Sequence, residues 1–434
     1  MVMAPGRPAA GGAADGHGPS SASLDVRVIG MHYAPEHTGN APYTTGMVAA
    51  LHAAGHRVQV VTGYPHYPAW EVTEGYTGLR RREHLDGVPV TRVRHPVPAV
   101  PDARRRIVMD AAFTAHAAAV GGRRPDVVVA VSPVLLTVLA GLRWRVRWPG
   151  SAALRGRGAG RTALGVVTQD LYSRALTETR MTSSRVASLG ARLEGSLLSR
   201  ADGVAVVHPS FTPTLTGLGV DPARLTTIPN WSHIAPPTRD RATVRRELGW
   251  REDEVIALHA GNMGVKQGLE NVVEAARRAD LAGSKVRFVL LGDGNQRARL
   301  AELGADVERL TFLDPLPGDR FPDALAAADV LVVNEAETVA EMSAPSKLTS
   351  YFAAGRPVVA ATWARSAASA ELARADAGMR LDPGDPEALH AAVLATAGDD
   401  EAGARGRAYA ADALGAGRAH AAYVAWVEGL AAGR

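Results

Sequence analysis

Short valine-rich runs recur along this chain with helix-length stretches between them, and the series stops once and starts again. Strands are expected near Val26 to Ile29, Val58 to Thr62, Val90 to Val93, Val127 to Val131, Gly165 to Thr168 and Val204 to Val207. A polar, proline-containing linker, "IAPPTRDR" (Ile234 to Arg241), interrupts the series. It resumes near Val255 to Leu258, Val286 to Leu291, Leu310 to Leu313, Val330 to Val333 and Val358 to Ala361. Alternation of this kind predicts parallel sheets covered by helices on both faces. The economical fold is α/β, with two doubly wound, Rossmann-like domains at 24–235 and 236–410. The first 23 residues are rich in Ala, Gly, Pro and Ser with no apolar run, and read as a disordered leader rather than a signal peptide.

Ligands of doubly wound sheets bind beyond the carboxyl ends of the strands, so chemistry is expected in the loops that follow strands and in the cleft between the domains. Of the 48 basic residues only Lys266, Lys285 and Lys347 are lysine. A bias toward arginine converts tolerant surface positions first, so the surviving lysines mark places where a compact ammonium differs from a planar fork. Lys266 lies in "AGNMGVKQGLENV", a glycine loop containing Gly261, Asn262 and Gly264 between a strand and a helix. Backbone amides and the positive end of a helix favour phosphate at such a turn. Lys347 lies in "APSKLTSYFAAGRPVV", where Pro345 and Ser346 open a helix and Gly355 closes it. A cation in a first helical turn opposes the dipole unless an anion is bound. Two lysines at one sheet edge therefore point to one diphosphate. Lys285 precedes a strand, on the opposite edge, and reads as surface.

Other loops carry weaker signals. Gly292 and Gly294 form a turn in "LLGDGNQ", and Glu335, Glu337 and Glu341 lie in a loop able to bind sugar hydroxyls. In the first domain, "MHYAPEHTGNAPYTTG" runs from strand to helix, with Gly39 suited to close ligand approach and Asn40 to cap the helix. Asp170 follows a strand directly, and His66 sits in the loop "GYPHYPAW".

Charge is uneven. Up to Ala235 there are 25 arginines against 15 acidic residues, and beyond it 23 basic against 29 acidic. The Arg/Trp-rich stretch from Gly141 to Arg161 suits peripheral contact with an anionic membrane surface. No recognition motif supports nucleic-acid binding. The absence of cysteine excludes disulfides and thiolate metal sites, and fits a reducing compartment such as the cytoplasm or the inner face of its membrane.

In order along the chain, "GHRVQVVTGYPHYP", "GVDPARLTTIPNWSH", "AGNMGVKQGLENVVEA", "LLGDGN" and "PSKLTSYFAAGRPVVAAT" resemble the retaining glycosyltransferases of family 4, which have the GT-B fold, and most closely their WcaI-like branch. The resemblance runs from about Val26 to Arg380. It implies that the second domain binds a nucleotide-diphospho-sugar, the first binds the acceptor, and the final helix, near Ala411 to Leu430 within 411–434, packs back on the first domain. Carried over, Lys266 and Lys347 with Ser346 hold the diphosphate, Gly39 and Asn40 approach it from across the cleft, and Glu341 contacts the donor sugar. Gly261, Asn262, Gly264, Gly292, Gly294, Leu313, Leu316 and Leu348 line the donor site, and Glu36, His66 and Asp170 face the acceptor. Two departures from the family pattern are Asn262 where many members have Arg, and Ser350 where many have a ribose-binding Glu.

The implied reaction moves a hexose to an acceptor hydroxyl with retention, needs no cofactor or metal, and lets the departing phosphate take the acceptor proton. The acceptor is a lipid-linked or small-molecule hydroxyl. Two other readings stay open: a nucleotide-sugar isomerase of the same fold, and a non-catalytic membrane-associated partner of a glycosyltransferase.

Overall fold

The computed structural model describes residues 23–37, 39–99, 103–145, 161–171, 184–232, 234–338 and 346–433. Two sheets organise them. The first comprises β1 (Asp25–Ile29), β2 (Arg57–Gly63), β3 (Arg80–Leu85), β4 (Val88–Val93), β5 (Val127–Val131), β6 (Ala163–Thr168), β7 (Gly203–Val206) and β8 (Leu225–Thr227), in the order β3-β4-β2-β1-β5-β6-β7-β8. The second comprises β9 (Val255–Ala260), β10 (Val286–Leu291), β11 (Leu310–Leu313), β12 (Val330–Asn334), β13 (Val358–Ala361) and β14 (Gly378–Leu381), in the order β11-β10-β9-β12-β13-β14. Every pairing is parallel except β3 with β4.

The central strands are apolar on both faces because helices cover both. All residues of β5, β6, β9 and β12 are buried. Strands β3, β8 and β14 were not expected from the sequence. "RRREHL" reads as a basic cluster, yet it forms an edge strand whose charges face solvent, a normal protection for an unpaired edge. β14 starts at Gly378, where a Cβ would meet the Val358 carbonyl at 1.9 Å.

The chain's end returns to the first domain. The helix Ala416–Ala432 places Tyr423, Trp426 and Val427 in one core with Val26, Val129 and Trp231. Its seat is cut by two glycines paired across β6 and β7. A Cβ on Gly165 would meet the Trp426 ring at 2.5 Å, and one on Gly203 would meet Leu430 at 2.8 Å. The expected helix start near Ala411 is corrected to Ala416. A separate helix, Asp400–Asp412, stays with the second domain, where Ala410 and Leu414 are buried, and the chain crosses over at Gly415.

In each sheet the direction of winding reverses beside the central strand, at β1/β5 in the first and β9/β12 in the second. The loops after these strands form crevices without further distortion of the backbone. The residues described below lie in these loops and in those that follow the neighbouring strands.

Candidate functional site

On the second-domain side, backbone makes the surface. After β9, the loop Gly261 to Gly268 is laced to the loop after β10: Met263 N–H donates to the Asp293 carbonyl at 2.8 Å, and Gln296 N–H to the Met263 carbonyl at 2.9 Å. The approach leaves no room for side chains. A Cβ on Gly292 would meet the Gly261 carbonyl oxygen at 2.2 Å, and one on Gly294, whose φ is +155°, would meet Met263 backbone at 2.5 Å. Gly268 (φ +53°) ends the loop against Ala336, and Asn334 ties it down by donating to the Gln267 and Gly268 carbonyls at 2.8 and 2.9 Å. Leu313 ends β11 and Leu316 follows it, both half-buried on the same rim. Asn262 is exposed, with its amide over Gly264.

The two lysines differ in setting. Lys266 is exposed in the loop after β9. Lys347, in the helix Ser346–Ala354, is half-buried, and its Nζ lies 3.1 Å from His259 Nε2. His259, wholly buried, has its Nδ1 against the Val332 carbonyl at 3.3 Å, so the proton placed there leaves Nε2 to accept from the ammonium. Burial, then the nearby Lys347, holds the His259 pKa well below its usual value. Burial also depresses Lys347, to about 7, with Glu335 pulling the other way. Glu335 in turn accepts from Thr362 Oγ1. A lysine whose charge burial disfavours gains from a nearby anion, because a bound phosphate would favour its ammonium form.

The first-domain side is made of side chains. Asp170 follows β6; burial raises its pKa, while Lys266 from the other domain and Arg106 pull it down. Arg106 stacks on Trp70 at 4.9 Å and also lowers Asp110, which burial pushes up to about 7. In the loop after β1, Glu36 Oε1 accepts from His66 N–H and Tyr67 N–H at 2.8 and 2.9 Å, while Oε2 lies 2.8 Å from His32 Nδ1. Burial would raise the Glu36 carboxyl, but the contacts with His32 and the two amides lower it further. Beyond His95 and Trp70 opens a groove of about 950 Å³, lined also by Tyr64, Tyr76 and Leu79.

These positions correct parts of the sequence reading. His66 was expected to face the acceptor, but its side chain is fully enclosed, with Nδ1 on the Tyr64 carbonyl at 2.9 Å, because the loop folds it inward over Glu36. Glu36 likewise offers the acceptor nothing directly, since both oxygens are engaged within the protein. Leu348 is buried in the second core, leaving only its backbone for a ligand. Asn40 occupies the N-cap position without a side-chain cap bond; its amide points toward the Ser132 carbonyl at 3.5 Å. Gly39 adopts φ +61° against the Tyr67 ring. Glu341 lies outside the described residues, as do residues 146–160 of the Arg/Trp stretch, and Ser346 is described only as the first residue of its helix. Lys285 is exposed beside β10's amino end.

Sequence reasoning missed His259, His32, Asp110 and Arg106. A histidine inside the apolar run "VIALHA" was a signal for the first. The others become site residues only through tertiary contact. His32, Glu36 and His66 bring ligand-type atoms within 4.8 Å of one another, a set able to surround a cation. Their internal hydrogen bonds already account for Nδ1 of both histidines and for both Glu36 oxygens.

Two doubly wound domains facing across a phosphate-suited cleft define the GT-B class of glycosyltransferases. Residues 38–231 match the glycosyl transferase 4-like domain, and residues 254–399 match glycosyl transferases group 1. The chain is 31% identical over 346 residues to the WcaI glycosyl transferase of Escherichia coli, assigned to colanic acid biosynthesis; the match covers 76% of this chain and 82% of that one. The chain belongs to this glycosyltransferase family, in its WcaI-like branch. Sucrose-phosphate synthase from Thermosynechococcus elongatus shares the fold, with TM-score 0.69 and 19% identity over 94% of this chain and 99% of that one. So does Anabaena HepE, solved in complex with UDP-glucose, with TM-score 0.64 and 15% identity over 93% of this chain and 98% of that one.

Proposed function

We propose that this glycosyltransferase moves a hexose from a nucleotide-diphospho-sugar to an acceptor hydroxyl with retention at the anomeric carbon, in exopolysaccharide, lipid-linked glycan or glycosylated natural-product synthesis. The observation that carries the donor assignment is Lys266, exposed in the loop after β9, together with Lys347, half-buried on the helix Ser346–Ala354 with its Nζ on His259 of β9. As the glycosidic bond to the diphosphate breaks, negative charge grows on the departing oxygen. Lys266 and Lys347 stabilise it more in the transition state than in the ground state, and the amides of the glycine loops add fixed dipoles. A diphosphate leaving group held this way needs no metal in the proposal. That structural relatives bind UDP-glucose supports a nucleotide-sugar donor.

The acceptor enters over Asp170 and Arg106, with the aromatic groove beyond Trp70 receiving its body. No helix among the described residues is long and apolar enough to cross a membrane. A lipid-linked acceptor would be met by peripheral contact through the basic first domain, which vesicle co-sedimentation at low and high salt tests.

The decisive experiment is a thermal-shift series with UDP-, GDP- and dTDP-sugars on the wild type and Lys266→Ala. A ligand that binds only the native state raises stability with the logarithm of its concentration. One donor is expected to shift the wild type and to lose most of that shift in the variant. An equal shift in both removes the lysine argument.

A further inference from the structure

The central strand of the second sheet reads Val, Ile, Ala, Leu, His, Ala, and its one polar side chain, His259, is fully buried. An imidazole in such a place costs stability unless its nitrogens are matched. Nδ1 meets the Val332 carbonyl of the neighbouring β12 at 3.3 Å, and Nε2 meets Lys347 Nζ at 3.1 Å. One turn further along the same helix, Tyr351 Oη accepts from Ala260 N–H at 2.8 Å. Two consecutive residues of β9 therefore tie down helix positions four apart, which share one face. The same two residues are the last before Gly261, where the glycine loop carrying Lys266 begins, and the Asn262 backbone in that loop lies near the imidazole. Lys347 is thus fastened to the strand from which the Lys266 loop departs.

We infer that His259 is the positioning residue of Lys347 for the donor's diphosphate: Nε2 accepts one ammonium hydrogen and leaves the others for phosphate oxygens. The inference rests on the nucleotide-sugar reading of the donor site. Burial keeps His259 a neutral imidazole, so it serves as an acceptor and not as a competing cation. A desolvated ammonium deprived of that acceptor has lost a hydrogen bond as well as its water, and the neutral amine gains ground. The other groups around Lys347 do not replace it. Glu335, the nearby anion, is engaged with Thr362 Oγ1; Tyr351 is engaged with Ala260, and burial raises its pKa so that the hydroxyl stays protonated; Lys266 is a second cation. The consequence is a pH signature. Below the Lys347 pKa of about 7 the free and the donor-bound site both hold the ammonium on His259, and the contact cancels from the binding equilibrium. Above it the free site is an amine and only the bound site holds the ammonium, so the contact strengthens binding.

The test is calorimetric titration of the full chain with UDP-, GDP- and dTDP-glucose at pH values below and above 7. Two amides separate the two ring nitrogens. His259→Asn places its amide near the Nδ1 position, where the Val332 contact is kept and the acceptor for Lys347 is lost. His259→Gln brings a carbonyl oxygen to the Nε2 position. Above pH 7 His259→Asn is expected to bind the donor about tenfold more weakly than the wild type, as loss of a hydrogen bond to a charged group does, and the deficit is expected to shrink below pH 7. His259→Gln is expected to recover most of that loss. In a Lys347→Met background His259→Asn is expected to add nothing, since the contact is already gone. Thermal melts report whether each variant folds, and His259→Met, which fills the core without an acceptor, stands in for His259→Asn with the same expected pH dependence. A deficit equal at every pH, or one that persists in the Lys347→Met background, assigns His259 to the core alone and overturns the inference. Wild-type affinity in His259→Asn beside weakened binding in Lys347→Met overturns it while the donor reading stands. Lys347→Met that binds like the wild type at every pH, or a wild type that binds none of the three donors, overturns the donor reading of Lys347 and the inference with it.

Discussion

The two walls of the cleft are built by different means. On the second-domain wall, glycine loops bring backbone to backbone, and among the described residues Lys266, Lys347 and His259 add side-chain chemistry beside Glu335. On the first-domain wall, Glu36, His32, Asp110, Arg106 and Asp170 come from three separate segments and act through side chains. In the proposed reading the second-domain wall takes the diphosphate, the common part of every nucleotide-sugar, which a rigid backbone cradle would serve. An acceptor is particular to each enzyme, and side chains on loops and a helix can be exchanged without rebuilding the sheet.

That contrast predicts unequal tolerance. The largest effect is expected from Gly294→Ala, whose Cβ would press on Met263 backbone at 2.5 Å; donor-induced stabilisation should vanish in a thermal-shift titration. Gly39→Ala on the opposite wall meets only the Tyr67 ring at 3.2 Å, and should lose about 1–2 kcal/mol of stability from its left-handed φ while keeping donor-induced stabilisation in the same titration. Equal damage at both sites would end the distinction. Next in size, Lys266→Ala should lower kcat by roughly 10²-fold in steady-state assays, as removal of one preorganised electrostatic partner does.

Lys347 gives a smaller, pH-dependent effect. With its pKa near 7, the free site carries the ammonium below that pH and loses it above. Donor affinity measured calorimetrically should weaken by up to about tenfold between pH 6 and pH 8, with a proton taken up on binding. The same shift has a consequence for stability. Between about 7 and the ordinary lysine value of 10.5 the unfolded chain binds more protons at this position than the native chain, so native stability rises with pH across that window. Lys347→Met should remove that slope while abolishing the pH dependence of donor binding. The smallest effect belongs to Lys285→Ala, exposed away from the cleft, which should stay within about 0.5 kcal/mol in denaturant melts.

Much of the second-domain wall was legible in the chain. Strand, glycine loop and helix follow one another closely around Lys266, and the requirement for glycine at 292 and 294 is written two positions apart in one turn. Lys347 was found by its residue type against an arginine background, although its partner was not: the expected quarrel with the helix dipole turned out to be a burial problem shared with His259. Little of the first-domain wall could be read. His66 looked like a site residue and is enclosed, while His32, in the same polar loop as Glu36, stands at the accessible edge. Residue type is identical in the two cases, and only the path of the loops separates them.

The amino-acid sequence by itself determined two doubly wound sheets, the strands that carry their crevices and the glycine loops that follow them, because period, apolar continuity and glycine placement act over a few residues at a time. Tertiary structure alone decided which charges meet. Asp170 and Lys266 are nearly a hundred positions apart, His208 and Glu371 join the two domains at 3.1 Å, and Trp426 completes the first core from the far end of the chain. Electrostatic interaction and packing depend on distance in space, and nothing in local propensity encodes a distance between elements that only the finished fold brings together.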